Sequence, residues 1–324
     1  MDEAAVADRP CLLVNPRSFR SSWLGYAAQA TKLVRAAGLE VHEVVDPASL
    51  RAVLDALRGR RQQQLWILSG DGTVHALAEY FAASAADWSP ALLFLAGGRA
   101  NIVPRECGGH PAMPALLRAL AAQREGRALP EGRILTLQVS QTGRPARHGF
   151  LFAGAAIYHI VRRLAEHRAR GKDWFHWSFF SEPWVLLQLA FEVHVLRRPL
   201  PPQAPVVARL AGQGEIAAPL RVLLASTMEL RAALYNPFAA RGTGPVRLTA
   251  VTATAPRFWR QVLAMIKGRF NDNMNPAHGI LSGRGERGEL LGVAAYALDG
   301  ELYGADPATP LVLTAGVPLR VLLP

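Results

Sequence analysis

A chain of 324 residues, half of them hydrophobic, is too long for one small core and predicts two domains. Its two cysteines, Cys11 and Cys107, exclude a disulfide framework and are expected to be reduced thiols in the cytoplasm. A formal net charge of +11 can favour nucleic acid or anionic lipid. The sequence contains no nucleic-acid motif and no zinc spacing, so no nucleic-acid partner is predicted.

The first part of the chain alternates between strand and helix patterns. Apolar runs predict strands at 11–14, 39–45, 65–68 and 91–95. Helices are predicted from 21 or 22 to 37, from 47 to 57, at 74–86 and at 111–123, and Asp46 followed by Pro47 is a usual helix start. This alternation with short connections is typical of an α/β fold with a doubly wound parallel sheet. Ligands of such folds bind beyond the carboxyl ends of the strands.

After about residue 130 the pattern changes to short, mostly antiparallel strands. These strands are predicted at 134–139, 148–152, 206–210, 220–225, 246–253, 290–298, 301–303, 311–314 and 319–323. The first two are expected to pair with each other, as are 206–210 and 220–225, and Asp299-Gly300 is expected to turn a hairpin. Helices are predicted at 156–168, 174–196 and 256–267.

The most informative segment is Ser-Gly-Asp-Gly-Thr at 69–73, which follows an apolar strand and precedes a helix. Glycines let backbone N–H groups approach an anion, and the helix adds the positive end of its dipole, so this turn suits a phosphate. The carboxylate of Asp71 can hold Mg²⁺ or take a proton from an attacking hydroxyl. The alternative is that Asp71-Gly72 is only a turn dipeptide.

Three further turns accompany this segment: Asn-Pro-Arg-Ser-Phe at 15–19, Gly-Arg-Ala-Asn at 98–101 and Asp-Gly-Glu at 299–301. With all four, the chain resembles the diacylglycerol kinase catalytic family, which includes sphingosine kinases and bacterial lipid kinases. The resemblance spans nearly the whole chain. It implies a nucleotide-binding α/β domain at 1–130 and a β-sandwich-like lipid-substrate domain at 131–324, with ATP and lipid meeting between them.

The resemblance also implies the roles of individual residues. Asp71 would be the leading catalytic carboxylate and the Mg²⁺ ligand, and Glu301 would face the reacting phosphates. ATP would be bound by Asn15, Gly70, Gly72, Thr73, Gly98, Arg99 and Asn101. Two alternatives remain open: Glu301 as a solvated carboxylate after a hairpin turn, and Asn15 as a cap of the first helix or turn.

Several positions depart from the family pattern. Ala76 and Ile102 stand where the family often has Glu and Asp, and neither can replace a carboxylate. Arg99 occupies the place of a Thr, although a guanidinium can bind phosphate oxygens with two donors. Phe19 stands where a flexible Gly is common, and residues 236–244 lack the carboxylate that would hold a structural Mg²⁺.

The favoured interpretation is an ATP- and Mg²⁺-dependent kinase that phosphorylates the hydroxyl of a lipid such as diacylglycerol or a sphingoid base. A cytoplasmic protein bound peripherally to the inner face of the membrane is expected, because arginines flank the aromatic run at 174–180. The alternative for that run is a buried helix with a solvated rim. The identity of the lipid and the assembly state are left open, with a homodimer as one alternative.

Two other functions are considered. A catalytically impaired nucleotide- or lipid-binding protein of the same fold is motivated by Ala76 and Ile102. An NAD kinase would share the turn at 69–73, but it is disfavoured because residues 97–101 look like the lipid-kinase segment.

Overall fold

The computed structural model describes residues 9–84, 87–170, 204–230 and 236–324. The chain folds into two compact units. Unit 1 comprises Met1–Thr136 with the later segments Met228–Leu234 and Gly316–Pro324, and unit 2 comprises Leu137–Thr227 and Tyr235–Ala315. The domain bounds 1–130 and 131–324 stay a prediction. In the structure, unit 1 also includes the two later segments of the chain. The helix predicted at 174–196 and the aromatic run at 174–180 lie outside the described residues.

Unit 1 is built on a parallel sheet, as predicted. Its first four strands are β1 (Cys11–Val14), β2 (Glu40–Glu43), β3 (Gln64–Ser69) and β4 (Ala91–Ala96). They lie in the order β2-β1-β3-β4, and all adjacent pairs are parallel. β1 and β4 are buried along their whole length, which is the pattern of strands covered on both faces.

Six helices are described in unit 1. They are α1 (Phe19–Trp23), α2 (Tyr26–Ala36), α3 (Pro47–Gly59), α4 (Asp71–Ser84), α5 (Ile102–Glu106) and α6 (Ala112–Arg124). Val34 of α2 and Leu116 of α6 pack against Leu12, Trp66 and Leu93 on one face of the sheet. This core fixes the strands whose carboxyl ends carry the sequence turns.

The helix boundaries correct the sequence prediction at several points. The single helix predicted from 21 or 22 to 37 is two helices in the structure. Gly25, which has φ 66°, lies between α1 and α2 and separates them. α4 begins at Asp71 and not at 74, and α5 is not predicted from the sequence. α3 begins as predicted, since the side chain of Asp46 accepts the backbone N–H of Ser49 at 2.7 Å.

Unit 2 contains two layers of antiparallel strands. The strands are β5 (Glu131–Gln141), which begins in unit 1, β6 (Arg144–Gly149), β7 (Leu151–Gly154), β8 (Val206–Leu210), β9 (Gly214–Ala218), β10 (Leu220–Ser226), β11 (Val246–Thr252), β12 (Ile280–Gly285), β13 (Arg287–Leu291), β14 (Ala295–Leu298), β15 (Glu301–Gly304) and β16 (Leu311–Leu322). One sheet has the order β12-β11-β10-β7-β14-β15. In the other layer, β16, β13, β8 and β9 pair successively, and β5 pairs with β6.

The core of unit 2 lies between these two layers. Phe152, Leu223 and Leu248 of the six-stranded sheet share one buried cluster with Leu290 and Leu313 of the other layer. Such face-to-face packing is the arrangement of a sandwich, so the predicted second fold is confirmed. Two helices are described in this unit, α7 (Ala155–Arg170) and α8 (Phe258–Ile266).

The strands of unit 2 correct three predictions. The segments 206–210 and 220–225 do not pair, because β8 pairs with the unpredicted β9 while β10 pairs with β7 and β11. The run predicted at 290–298 is divided into β13 and β14, where Gly292 has φ 93°. The segments 311–314 and 319–323 form the single strand β16. The hairpin at Asp299-Gly300 is confirmed, and it joins β14 to β15.

The last strand also contributes to unit 1. The end of β16 lies parallel to β4, with Arg320 beside Ala91 and Val321 beside Leu92. The guanidinium of Arg320 donates to both carboxylate oxygens of Glu131 at 2.9 Å. β4 is therefore paired on both sides, by β3 and by the chain end.

None of the helices within the described residues has both the length and the hydropathy needed to cross a membrane.

Both cysteines are free and buried, and burial raises the pKa of the Cys11 and Cys107 thiols to about 12. Because the thiolate is the reactive form, we expect neither to react with Ellman's reagent in the native protein at pH 8. Both should react after unfolding in urea. Fast reaction of either thiol under native conditions would contradict this assignment.

Candidate active site

Three sequence turns come together at the carboxyl edge of the sheet in unit 1. They follow β1, β3 and β4, which are neighbours in the sheet. The N–H of Gly70 donates to the hydroxyl of Ser18 at 2.9 Å, which links the first turn to the second. The N–H of Gly97 donates to the carbonyl of Ser69 at 2.9 Å, which links the second turn to the third. The three turns therefore lie side by side in the structure.

Glycine is required where the second and third turns touch. A Cβ on Gly98 would lie only 2.6 Å from the Cα of Gly70 and 3.2 Å from the backbone nitrogen of Asp71. A Cβ on Gly70 would lie 3.3 Å from the Cα of Gly98. The close approach of the two backbones gives Gly70 and Gly98 a structural role besides the ATP binding that the resemblance implies.

The carboxylate of Asp71 is held by the turn after β4. One oxygen accepts the N–H of Asn101 at 3.2 Å, and the other accepts the N–H of Ile102 at 3.3 Å. Asp71 is the first residue of α4 and is partly exposed, so its negative charge lies at the positive end of the helix dipole. Ile102 cannot supply a carboxylate, but its backbone supports the one that is present.

Asn101 maintains the shape of the third turn. The residue is 1 % exposed, its Oδ1 accepts the N–H of Gly98 at 2.7 Å, and its Nδ2 donates to the carbonyl of the same glycine at 2.7 Å. Its backbone has φ 50°, a left-handed conformation that asparagine tolerates better than most residues. The nucleotide contact expected of Asn101 stays a prediction beside this structural role.

We expect Asn101→Ala to lower the free energy of unfolding by about 3 kcal/mol, because it leaves a buried N–H unpaired and places alanine at positive φ. Asn101→Gly removes the same hydrogen bonds without the backbone strain. It should therefore be more stable than the alanine variant by about 1 kcal/mol. Urea unfolding measures both, and a glycine variant as stable as the wild type would show that the side-chain bonds contribute nothing.

The first turn contributes Asn15, whose Nδ2 donates to the hydroxyl oxygen of Thr73 at 3.0 Å. The Oδ1 of Asn15 accepts the N–H of Arg17 at 2.9 Å, so this side chain also closes its own turn. Thr73 is partly exposed and Gly72 is exposed in the first turn of α4. Asn15 therefore closes its own turn, as one alternative predicts, and it also contacts the turn at 69–73.

Arg99 and Phe19 contact each other. The guanidinium carbon of Arg99 lies 4.0 Å from the centroid of the Phe19 ring, a cation–π contact. Both residues are departures from the family pattern, and in this chain they form one contact between the first and third turns. The contact holds a partly exposed cation between the first and third turns without requiring the residues that the family usually has.

In unit 2, the two acidic residues of the Asp-Gly-Glu turn have different surroundings. The carboxylate of Asp299 accepts the N–H of Phe150 at 3.0 Å and the N–H of Leu151 at 2.8 Å, so it fastens the hairpin to the start of β7. Sequence reasoning did not assign this role. Glu301 is exposed at the first position of β15, and its catalytic role stays a prediction.

The donor set at the sheet edge fits a metal ion that arrives with phosphates. In the described ranges, no three His, Cys, Asp or Glu side chains come together as ligands for a metal. Mg²⁺ commonly keeps several waters and binds through one or two carboxylates together with substrate phosphates. The carboxylate of Asp71 can supply one such ligand, and the α4 N-terminus, the Thr73 hydroxyl and Arg99 suit the phosphates.

Comparisons with known proteins agree with the family resemblance and with the fold. Residues 9–129 match the family model of the diacylglycerol kinase catalytic domain. A candidate diacylglycerol kinase from Bacillus anthracis str. Sterne has a similar structure, with a TM-score of 0.65, 14 % identity, and coverage of 98 % of this chain and 97 % of that chain. A diacylglycerol kinase from the same strain has a TM-score of 0.61, 13 % identity and the same 98 % and 97 % coverage. At these identities the structures show a shared fold. No curated protein matches the sequence.

Proposed function

We propose that this protein transfers the γ-phosphate of ATP to the hydroxyl of a lipid, because residues 9–129 match the family model of the diacylglycerol kinase catalytic domain. Diacylglycerol and sphingoid bases are the proposed acceptors. The observation that carries the proposal is the carboxylate of Asp71, fixed by two backbone amides beside a glycine turn and at a helix N-terminus.

Phosphoryl transfer depends mainly on positioning and on stabilisation of charge. When bound, Mg²⁺ would neutralise charge on the phosphates, and Asp71 is its proposed ligand. Asp71 also has the chemistry to accept the proton of the acceptor hydroxyl. The Thr73 hydroxyl and the Arg99 guanidinium are proposed to bind phosphate oxygens, while Gly70 and Gly98 keep the turns close together.

Two further parts of the proposal concern unit 2 and the cell. Glu301, exposed on β15, is proposed to face the reacting phosphates. Peripheral association with the inner face of the membrane is proposed because the acceptor is a lipid and the chain carries a net charge of +11.

The test is an assay with labelled ATP, Mg²⁺ and mixed micelles that contain diacylglycerol or sphingosine. A labelled phospholipid that depends on both ATP and the acceptor supports the proposal. If neither lipid is labelled and labelled NADP forms when NAD is supplied, the protein is an NAD kinase instead.

A second candidate function is binding without catalysis. Ala76, which lies in the second turn of α4 after Asp71, is partly exposed and offers no carboxylate. If the protein only binds, ATP should raise the Tm by mass action while no labelled lipid appears. Labelled lipid that disappears on Asp71→Asn would reject this candidate.

A further inference from the structure

The helix α8 of unit 2 has an apolar face that the core does not use. Its inner side, which includes Phe258, Val262 and Met265, packs against a cluster that contains Val251 and Ile280. On its outer side, Trp259 is 54 % exposed and Leu263 is 57 % exposed. These two residues are four positions apart and therefore lie on the same side of the helix, one turn from each other.

The basic border of α8 consists of exposed cations on the helix and close to its two ends in the sequence. Arg257, Arg260, Lys267 and Arg269 are all exposed, and residues 255–270 contain no Asp or Glu. The guanidinium of Arg221, which is exposed on β10, lies 5.1 Å from the centroid of the Phe258 ring. The basic residues on and around α8 are thus not offset by acids in the same segment.

We propose that α8 and its basic border are the surface with which unit 2 contacts a bilayer that contains anionic lipid. The chemistry of both parts matches: Trp259 and Leu263 enter the headgroup region, and the cations meet lipid phosphates. Tryptophan is suited to that depth because its ring is amphipathic. The inference rests on the proposed function, since a lipid kinase must reach an acceptor that lies in a membrane.

Other occupants fit this surface less well. A nucleic acid would pair with the cations, but it offers no apolar partner to Leu263. A second copy of the chain would place the same cations opposite one another, and like charges at an interface are unfavourable.

The experiment is co-sedimentation of the full chain with vesicles of phosphatidylcholine alone and of phosphatidylcholine with phosphatidylglycerol. Trp259→Ser with Leu263→Ser removes the apolar part, and Arg260→Gln with Lys267→Gln removes two charges. The matched control is Leu117→Ser with Arg118→Gln on α6, where Leu117 is 51 % exposed. All these side chains are exposed, so the variants should fold like the wild type.

We expect the wild type to bind the anionic vesicles more tightly than the neutral ones. The charge variant should weaken that binding about 25-fold, because each of the two cations contributes about a fivefold factor near an anionic surface. The apolar variant should weaken it at least about tenfold, and the control should bind like the wild type. Binding by both α8 variants as tight as that of the wild type would overturn the proposal, as would equal wild-type binding to both vesicles.

Two further measurements separate the alternatives. Loss of self-association in the apolar variant, seen by size-exclusion chromatography, would assign the surface to a second copy of the chain and overturn the proposal. The proposal would also be overturned if the protein binds an oligonucleotide through α8 and does not bind vesicles. Phosphorylation of a short-chain, water-soluble diacylglycerol should be unchanged in all variants. If α8-dependent vesicle binding is found without any lipid phosphorylation, the surface is supported and the proposed kinase function fails. If lipid is phosphorylated but vesicle binding does not depend on α8, the kinase function is supported and the proposed surface fails.

Discussion

Asp71→Asn is expected to lower the rate of lipid phosphorylation about 10²- to 10⁴-fold, the range typical of a lost acid–base or charge-stabilising group. The amide is nearly the same size as the carboxylate, so packing is preserved. It cannot carry the negative charge that a metal ion or a transferred proton requires. Its NH₂ group would also face one of the two N–H donors, from Asn101 and Ile102, that now hold the carboxylate.

The control for Asp71→Asn is the same change from Asp to Asn at a residue of unit 1 that has no role in the site. Asp87 serves this purpose because its side chain is 68 % exposed and pairs with Arg58 at the surface. Asp87→Asn should keep the wild-type rate and Tm. If Asp71→Asn folds normally and still phosphorylates lipid within tenfold of the wild-type rate, Asp71 does not take part in the chemistry.

Gly98→Ala is expected to damage both stability and activity. The new Cβ would lie 2.6 Å from the Cα of Gly70 and 3.2 Å from the nitrogen of Asp71, and a backbone cannot yield as a side-chain end can. We expect the free energy of unfolding to fall by about 1–3 kcal/mol, as for other overpacked sites. Displacement of Asp71 by about 1 Å should lower the rate about 100-fold.

Gly59→Ala is the matched control for this prediction. Gly59 lies at the end of α3 in the same unit, and a Cβ there would meet nothing within 4 Å. The free energy of unfolding should stay unchanged or rise by up to about 1 kcal/mol, because alanine has less freedom to lose on folding. Urea unfolding and the labelled-ATP assay measure both variants. Wild-type stability and rate in Gly98→Ala would show that the two turns do not need to approach so closely.

The elements of unit 1 that the sequence predicts well have local signals. β3 and β4 are apolar runs, and α3 begins with the Asp46-Pro47 pair that the structure confirms. α5 has no such signal, because it begins after Asn101 at positive φ and contains Pro104. In unit 2, pairing depends on distant strands, so the apolar patterns of β8 and β10 could not reveal that they lie in different sheets.

The features of the candidate site also divide into those that the sequence reveals and those that it does not. The turn at 69–73 is recognisable because its residue types and its position after a strand have a direct physical meaning. The contact between Arg99 and Phe19 joins residues far apart in the sequence, and each appears alone only as a departure. The amide of Ile102 is invisible to sequence reasoning, since every residue but proline has one.

The pairing of β16 with β4 has a consequence for biosynthesis. Without the chain end, β4 would be an exposed sheet edge made only of apolar residues, and such edges recruit other strands. Unit 1 therefore lacks one neighbour of β4 until β16, which follows the other strands of unit 2 in the sequence, has been synthesised. At ordinary elongation rates this edge of β4 stays unpaired for about ten seconds or longer, and during that time it must be shielded from other strands.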